Sequence, residues 1–345
     1  MARCSYGGQA VIEGVMMRGK RKMAVAVRRT PEEIVFDLRN VISITERYRF
    51  LGLPFIRGVV VMIESMVEGI KTLTYSANQV VEGEEEGETL SPWELRLSVA
   101  FALIAGTALF ALLPAGLAHL VKEYVPGYFL QNLLEGILRI VIFLAYVVAI
   151  AFMEDIQRVF QYHGAEHKTI HAYEAGEELT PENARKYSTL HPRCGTSFLL
   201  FVMVISILVF SLTGETGLWM RLLSRILLLP VVAGVSYEFL KLTGKYQHIW
   251  IMRLFSKPGL YLQKLTTRQP DDSQLEVAIF ALQKVMAAEQ EEALGKEAES
   301  KTESGAEAER KEAESIAADS IEASGVAAGN IEAERTAVGS SAAEV

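Results

Sequence analysis

Leu97 to Ala118 is a run of 22 residues without a charge, and it constrains the fold more than any other feature of the chain. As a helix rising about 1.5 Å per residue, it matches a hydrocarbon layer about 30 Å thick. Leu133–Met153 reads as a second span and holds Glu135 and Arg139 at i, i+4, where they can pair on one face. Phe198–Leu212 reads as a third. Leu218–Leu240 reads as a fourth, with Arg221 and Arg225 near its start and Glu238 near its end. Pro114 is expected to bend the first span. The fold class expected is mainly α: a multi-pass membrane helix bundle of about four spans.

The flanking segments differ in character. Residues 1–50 read as a small N-terminal β-containing module, with strands near Met23–Arg28 and Ile34–Leu38 and a third near Val41–Ile44. Gly7, Gly8, Gly14 and Gly19 before them imply turns or close backbone approach. No apolar core of signal-peptide length occurs in residues 1–19. Residues 51–92 hold an amphipathic helix over 54–78 followed by an acidic linker. Arg57, Glu64, Glu68 and Lys71 share one face of that helix, which is expected to lie on the membrane or against the bundle. Residues 93–288 form the membrane domain. It ends in an amphipathic helix over Gln274–Ala288, capped by Asp272 and Ser273.

Residues 289–345 carry 15 acidic and 5 basic residues, so this Ala/Glu/Ser tail accounts for more than the whole net charge of −8. With no aromatic residue and little to bury, the tail reads as disordered. Loop charges orient the bundle. Arg158, Lys168, Arg185, Lys186 and Arg193 fall in the 154–195 loop, and six further Lys and Arg residues lie between Lys241 and Arg268. The loop between the first two spans has only Lys122. By the positive-inside rule, the protein sits in the cell membrane with both termini and the 154–195 loop in the cytoplasm. Two distant cysteines, Cys4 and Cys194, suit reduced thiols rather than a disulfide framework. Neither a phosphate-binding loop nor a nucleic-acid patch is present, so nucleotide and nucleic-acid partners are not expected.

Four of the six histidines fall in 29 residues: His163, His167, His171 and His191. The first three, at i, i+4 and i+8, stack along one side of a helix. His163-Gly164-Ala165-Glu166-His167 matches H-x-x-E-H, in which two imidazoles hold zinc and the glutamate serves as base toward metal-activated water. Glu166 is the catalytic candidate. The metal-ligand candidates are His163, His167, His171, His191 and Cys194, with Glu174 also in range for the third position. Pro192 makes the His191–Cys194 segment extended, so it can close a helical two-histidine site. The competing reading is a juxtamembrane helix whose histidines and Lys168 face headgroups or make structural hydrogen bonds. Gly164 weakens the helix slightly. Cys194 also fits as a small residue opening the third span. Glu64 and Glu68 read as a solvated stripe, and Glu135 and Glu238 as acids paired with Arg139 and Lys241.

The chain resembles the bacterial YqhQ family (DUF1385). The resemblance rests on the run Gly7 to Gly19, on Leu53 to Gly58, on Tyr162 to Lys168, on His191 to Thr196, and on Leu265 to Arg268 with Pro270 to Asp272. It covers about residues 1–288. It implies an integral membrane protein labelled a predicted metal-dependent enzyme, without a known substrate or reaction.

Together these readings point to a metal-dependent, water-activating hydrolase at the cytoplasmic membrane face. The cofactor is a divalent metal ion, with zinc favoured by the His and Cys donors. The partners are the lipid bilayer and a substrate that is a membrane protein or a lipid. A non-enzymatic scaffold or regulator with a structural metal is the alternative. A small transporter using Glu135, Arg139 and Glu238 is another, and four spans would require it to form an oligomer.

Overall fold

A computed structural model describes residues 6–83, 91–212 and 218–295. The chain divides into two units, Met1–Ala287 and Ala288–Val345. The first opens with a four-stranded antiparallel meander: β1 (Gly7–Val11), β2 (Gly14–Arg18), β3 (Lys22–Arg28) and β4 (Ile34–Asn40), in spatial order 1-2-3-4. The expected strands at β3 and β4 are present. β1 and β2 occupy the glycine-rich run expected to hold turns or close backbone approach, and a Cβ on Gly8 or Gly14 would stand 2.5 Å from Met16 O or 2.2 Å from Ala26 O. β2 shows no alternation because both of its faces are covered, and in β1 Gly7 and Gly8 carry no side chains to alternate. Val15, Met17, Ala24 and Ala26 pack with Tyr162, Ala165 and Leu275 on one face, and Met16, Met23, Val25 and Val27 pack with Tyr75 and Val80 on the other. The strand expected at Val41–Ile44 does not form. Ser43 instead caps a short helix, Ile44–Arg47, and Glu64 accepts from the Ile44 amide at 2.6 Å.

The helices are α1 (Ile56–Gly83), α2 (Pro92–Thr107, continued to Leu120), α3 (Tyr128–Ile150), α4 (Glu154–Ala175), α5 (Gly195–Ser211), α6 (Leu218–Lys245) and α7 (Trp250–Thr266). An eighth, α8, covers 272–287. Three helices are long and apolar enough to cross a membrane, Arg96–Leu120, Tyr128–Ile150 and Leu223–Lys245, and they associate the chain with a bilayer. The third expected span corresponds to α5, which is apolar but has only 17 residues. That is about 25 Å of helix, short of a typical hydrocarbon core. α7 was not expected as a helix at all.

α1 docks on α6 rather than lying free. A Cβ on Gly58 would stand 2.7 Å from Tyr237 Cβ, and one on Gly234 would stand 2.5 Å from the Phe55 carbonyl oxygen. Phe55 holds φ +68°, a conformation costly for an aromatic residue, as it turns the chain into α1. Arg57 donates from Nε and Nη2 to Glu238 at 2.6 and 2.5 Å, so Glu238 takes its charge partner from α1 and not from Lys241.

Within the bundle, Pro114 cannot donate to the Phe110 carbonyl four residues back. The helix passes this point through a π-helical segment, Ala108–Leu112, and Arg139 Nε donates to the Phe110 oxygen at 3.1 Å. Glu135 is buried and accepts from Arg139 at 2.9 Å, as expected. It also accepts from both Nη atoms of Arg225, one of them at 2.6 Å. The Phe210 ring lies 5.3 Å from the Arg225 guanidinium and 5.9 Å from that of Arg139.

α8 packs Leu275, Ala278, Leu282 and Val285 against the sheet. Its cap is Asp271, which accepts from the Gln274 amide at 2.9 Å, rather than Asp272 or Ser273; Asp272 pairs with Arg185 instead. In the second unit, residues 288–295 are helical, although the disordered tail was expected to begin at 289. The rest of that tail lies outside the described residues, as do Cys4 and most of the acidic linker.

Candidate metal centre

α4 carries the site. Its register stacks His163, His167 and His171 along one side, and His191 returns from the following loop to meet them. The imidazole centroids run 4.4 Å from His163 to His167, 5.6 Å from His167 to His191 and 4.7 Å from His191 to His171. Gly164 is what lets the chain approach. A Cβ there would lie 2.1 Å from the Arg268 carbonyl oxygen, so the residue read as weakening the helix makes room for the segment leaving α7. Lys168 does not face headgroups. It is buried and donates to the carbonyls of Arg185 and Tyr187 at 2.9 and 2.6 Å, and burial lowers its pKa.

The tautomers follow from the backbone around the rings. His163 Nδ1 lies 2.8 Å from the Thr266 carbonyl oxygen and His167 Nδ1 lies 2.5 Å from that of Thr189. A carbonyl only accepts, so each Nδ1 carries the proton and each Nε2 presents a lone pair. His163 Nε2 stands 3.2 Å from Cys194 Sγ. His167 is 1% exposed, and its Nε2 has no hydrogen-bond partner among the described residues. A nitrogen of each histidine and Cys194 Sγ lie within 4.8 Å of one another. Two imidazoles backed by carbonyls, a thiol and an orphaned buried nitrogen are a set of donors of a kind able to hold a metal ion.

His171, Glu174 and His191 form a second group on the same scale. Here the hydrogen bonds are already committed. His171 Nε2 donates to Leu190 O at 3.0 Å, and His191 Nδ1 accepts from the Arg193 amide at 3.3 Å. His191 Nε2 faces Glu174 at 3.6 Å, and Arg193 also pairs with that carboxylate. Burial holds the His191 pKa down at about 4, so the ring is neutral. The Glu174 carboxyl, with His191 and Arg193 beside it, falls to about 2. This group braces the loop that delivers Cys194.

Three positioning residues gave no signal in the sequence. Gln263 of α7 accepts from the His191 amide and donates to the His191 carbonyl, both at 2.8 Å. Thr266 and Thr189 act through main-chain oxygens, for which side-chain identity carries no signature. Gly8 is the fourth. Its amide donates to Glu166, and a Cβ there would stand 2.9 Å from Glu166 Cγ. Burial raises the Glu166 carboxyl to about 7, against smaller opposing effects of His163 and the Gly8 amide. His163, Glu166 and Cys194 line one cleft of about 880 Å³, walled by β1, α1, α4 and the start of α5.

The model of the family described as "Protein of unknown function (DUF1385)" matches residues 53–288. The chain belongs to the DUF1385 family. It is 36% identical over 301 residues to "Uncharacterized protein YqhQ" of Bacillus subtilis (strain 168), covering 83% of this chain and 93% of that protein. The relative extends the likeness beyond the span of the family model, and no solved structure matches the chain. Membership therefore brings relatives without an assigned activity, and the functional reading rests on the site.

Proposed function

We propose that this DUF1385 protein is a membrane-bound, metal-dependent hydrolase with its site on the cytoplasmic side. His163, His167 and Cys194 are the ligands, zinc is the metal they suit best, and Glu166 is the general base. The observation that carries this reading is the unpartnered, buried Nε2 of His167 beside the Cys194 thiol. An unsatisfied buried polar atom costs about 1–3 kcal/mol, and a metal ion relieves that cost. When bound, the ion supplies Lewis acidity and acidifies water.

The rest of the chemistry belongs to the chain. Burial raises the Glu166 carboxyl of the metal-free chain above the usual carboxylate range, and the group is placed beside His163 to take and return a proton. The Gly8 amide fixes its orientation, and the cleft admits substrate to it. A purely structural zinc site closes with four protein ligands. Three donors rather than four are gathered here, and two of them, His163 and Cys194, line the cleft with Glu166, which favours an enzyme over a scaffold. Transport through Glu135 is disfavoured because Arg139 and Arg225 already neutralise and bridge that acid.

The test is metal analysis of the purified full chain in detergent. One zinc per chain is expected, and it should be lost in His167→Ala and Cys194→Ala. Glu166→Gln should keep the metal and lose hydrolysis. Wild-type protein that stays metal-free after incubation with zinc overturns the reading.

A further inference from the structure

Resting on the hydrolase reading, we infer that the substrate is a polypeptide bound in extended form along the free edge of β1, with its scissile carbonyl at Glu166. Among the described residues β1 is an edge strand, paired with β2 alone. The two meet at Val11–Gly14 across a two-residue turn. In such a hairpin the pair flanking the turn is hydrogen-bonded, so alternation turns the amide and carbonyl of Ala10 and of Gly8 away from β2. The Gly8 amide follows this pattern, since it reaches out to Glu166. The base therefore sits on the strand edge itself, and Gly7 through Ala10 wall the same cleft as His163 and Cys194.

An exposed strand edge is a template for a further strand. Gly7 and Gly8 have no side chains to obstruct it, and both are exposed. The opposite wall offers Val159, Phe160 and Leu199 to apolar side chains of the guest. Leu199 belongs to the apolar helix α5, so a segment held here runs beside the bundle, as the juxtamembrane part of another membrane protein does. An acyl chain would use the apolar wall and leave the strand edge unused.

The step balances with water as co-reactant. The water oxygen bonds to the peptide carbonyl carbon and the C–N bond breaks. Glu166 takes a proton from water and returns it to the leaving nitrogen, and the second water proton follows from the new carboxylic acid, giving a carboxylate and an ammonium group.

The experiment uses the zinc-loaded full chain in detergent. It is assayed on a degenerate pool of quenched-fluorescent decapeptides and, in parallel, on phosphatidylglycerol vesicles doped with a fluorogenic acyl ester. Peptide cleavage is expected, absent in Glu166→Gln. Single backbone N-methyl groups on a cleaved peptide should lower kcat/KM about tenfold at alternate positions only, the loss of one strand-pairing bond each. Ala10→Pro, which deletes an outward amide, should do the same at unchanged zinc content. The N-methyl series is read on wild-type protein, so it stands whether or not that variant folds. Cleavage indifferent to N-methylation overturns the edge-strand mode. Ester hydrolysis without peptide cleavage overturns the polypeptide substrate and leaves the hydrolase standing. Zinc-loaded protein that turns over neither overturns both.

Discussion

His163 Nε2 and Cys194 Sγ face each other at 3.2 Å across the junction of α4 and α5, although 31 residues separate them in sequence. The contact depends on Gln263, which pins both the amide and the carbonyl of His191 three residues before the cysteine. Gln263→Ala removes both bonds from a buried main-chain segment. Zinc affinity is expected to fall about 10–100-fold, as for other second-sphere changes, with the three ligands intact. Competition with a chromophoric chelator measures this. An unchanged affinity removes Gln263 from the positioning shell.

Gly164→Ala should be severe. The added methyl meets the Arg268 carbonyl oxygen at 2.1 Å, and that oxygen belongs to main chain tied by the Arg268 amide to Phe160 O at 2.9 Å. Neither partner can move alone, so a loss of about 3 kcal/mol is expected. Thermal unfolding in detergent reads it. Ala165→Gly, one residue on, tests whether helix propensity rather than collision is responsible, since it costs about 1 kcal/mol by propensity, to which the lost buried methyl adds.

Glu166 gives the chelated, metal-free protein a pH dependence of definite sign. Its carboxyl group is raised from 4.5 to about 7, so between those values the folded state keeps a proton that the unfolded state has lost. Its contribution is therefore most favourable below pH 4.5 and is eroded as pH rises to 7. The total is about 3 kcal/mol at 1.36 kcal/mol per unit. Glu166→Gln should flatten this slope. Parallel stability–pH curves for the two proteins would contradict the burial that raises the group.

Glu135→Ala should destabilise the bundle by about 3–5 kcal/mol, because it leaves the Arg139 and Arg225 guanidinium groups buried without their shared anion. Those arginines are 14% and 13% exposed in their side chains. Glu135→Ala combined with Arg225→Leu should recover part of the loss. Melting of the single and double variants in one detergent settles the sign of the coupling.

Three of the four expected spans have counterparts among the helices long and apolar enough to cross a membrane, because a membrane demands one gross property, a long apolar run; the third expected span is only 17 residues of helix. His163, Glu166 and His167 stood out as candidates for a related reason: metal chemistry restricts residue type and helical geometry restricts spacing, and the structure brings the two histidines together with Cys194. β1 and β2 were not legible. A strand packed on both faces loses its two-residue period, and Gly7 and Gly8 hid it further. α7 was missed because its Lys and Arg residues were read only as loop charge. Its Gln263 is an ordinary residue type whose role comes from place. Glu238 was assigned to Lys241, its sequence neighbour, because the Arg57 contact spans 181 residues and only the crossing of Gly58 and Gly234 brings it about.

The Thr266 carbonyl that sets the His163 tautomer has a consequence for biogenesis. Residue 266 leaves the ribosome after all the apolar helices, about a hundred residues behind His163. Until α7 has formed and folded back, the His163 ring is free to spin and to carry its proton on either nitrogen. Thr189, whose carbonyl holds His167, emerges well before Thr266, so His163 is the last of the pair to gain its partner. A chain arrested before α7 would be inserted in the bilayer and yet unready to take up an ion.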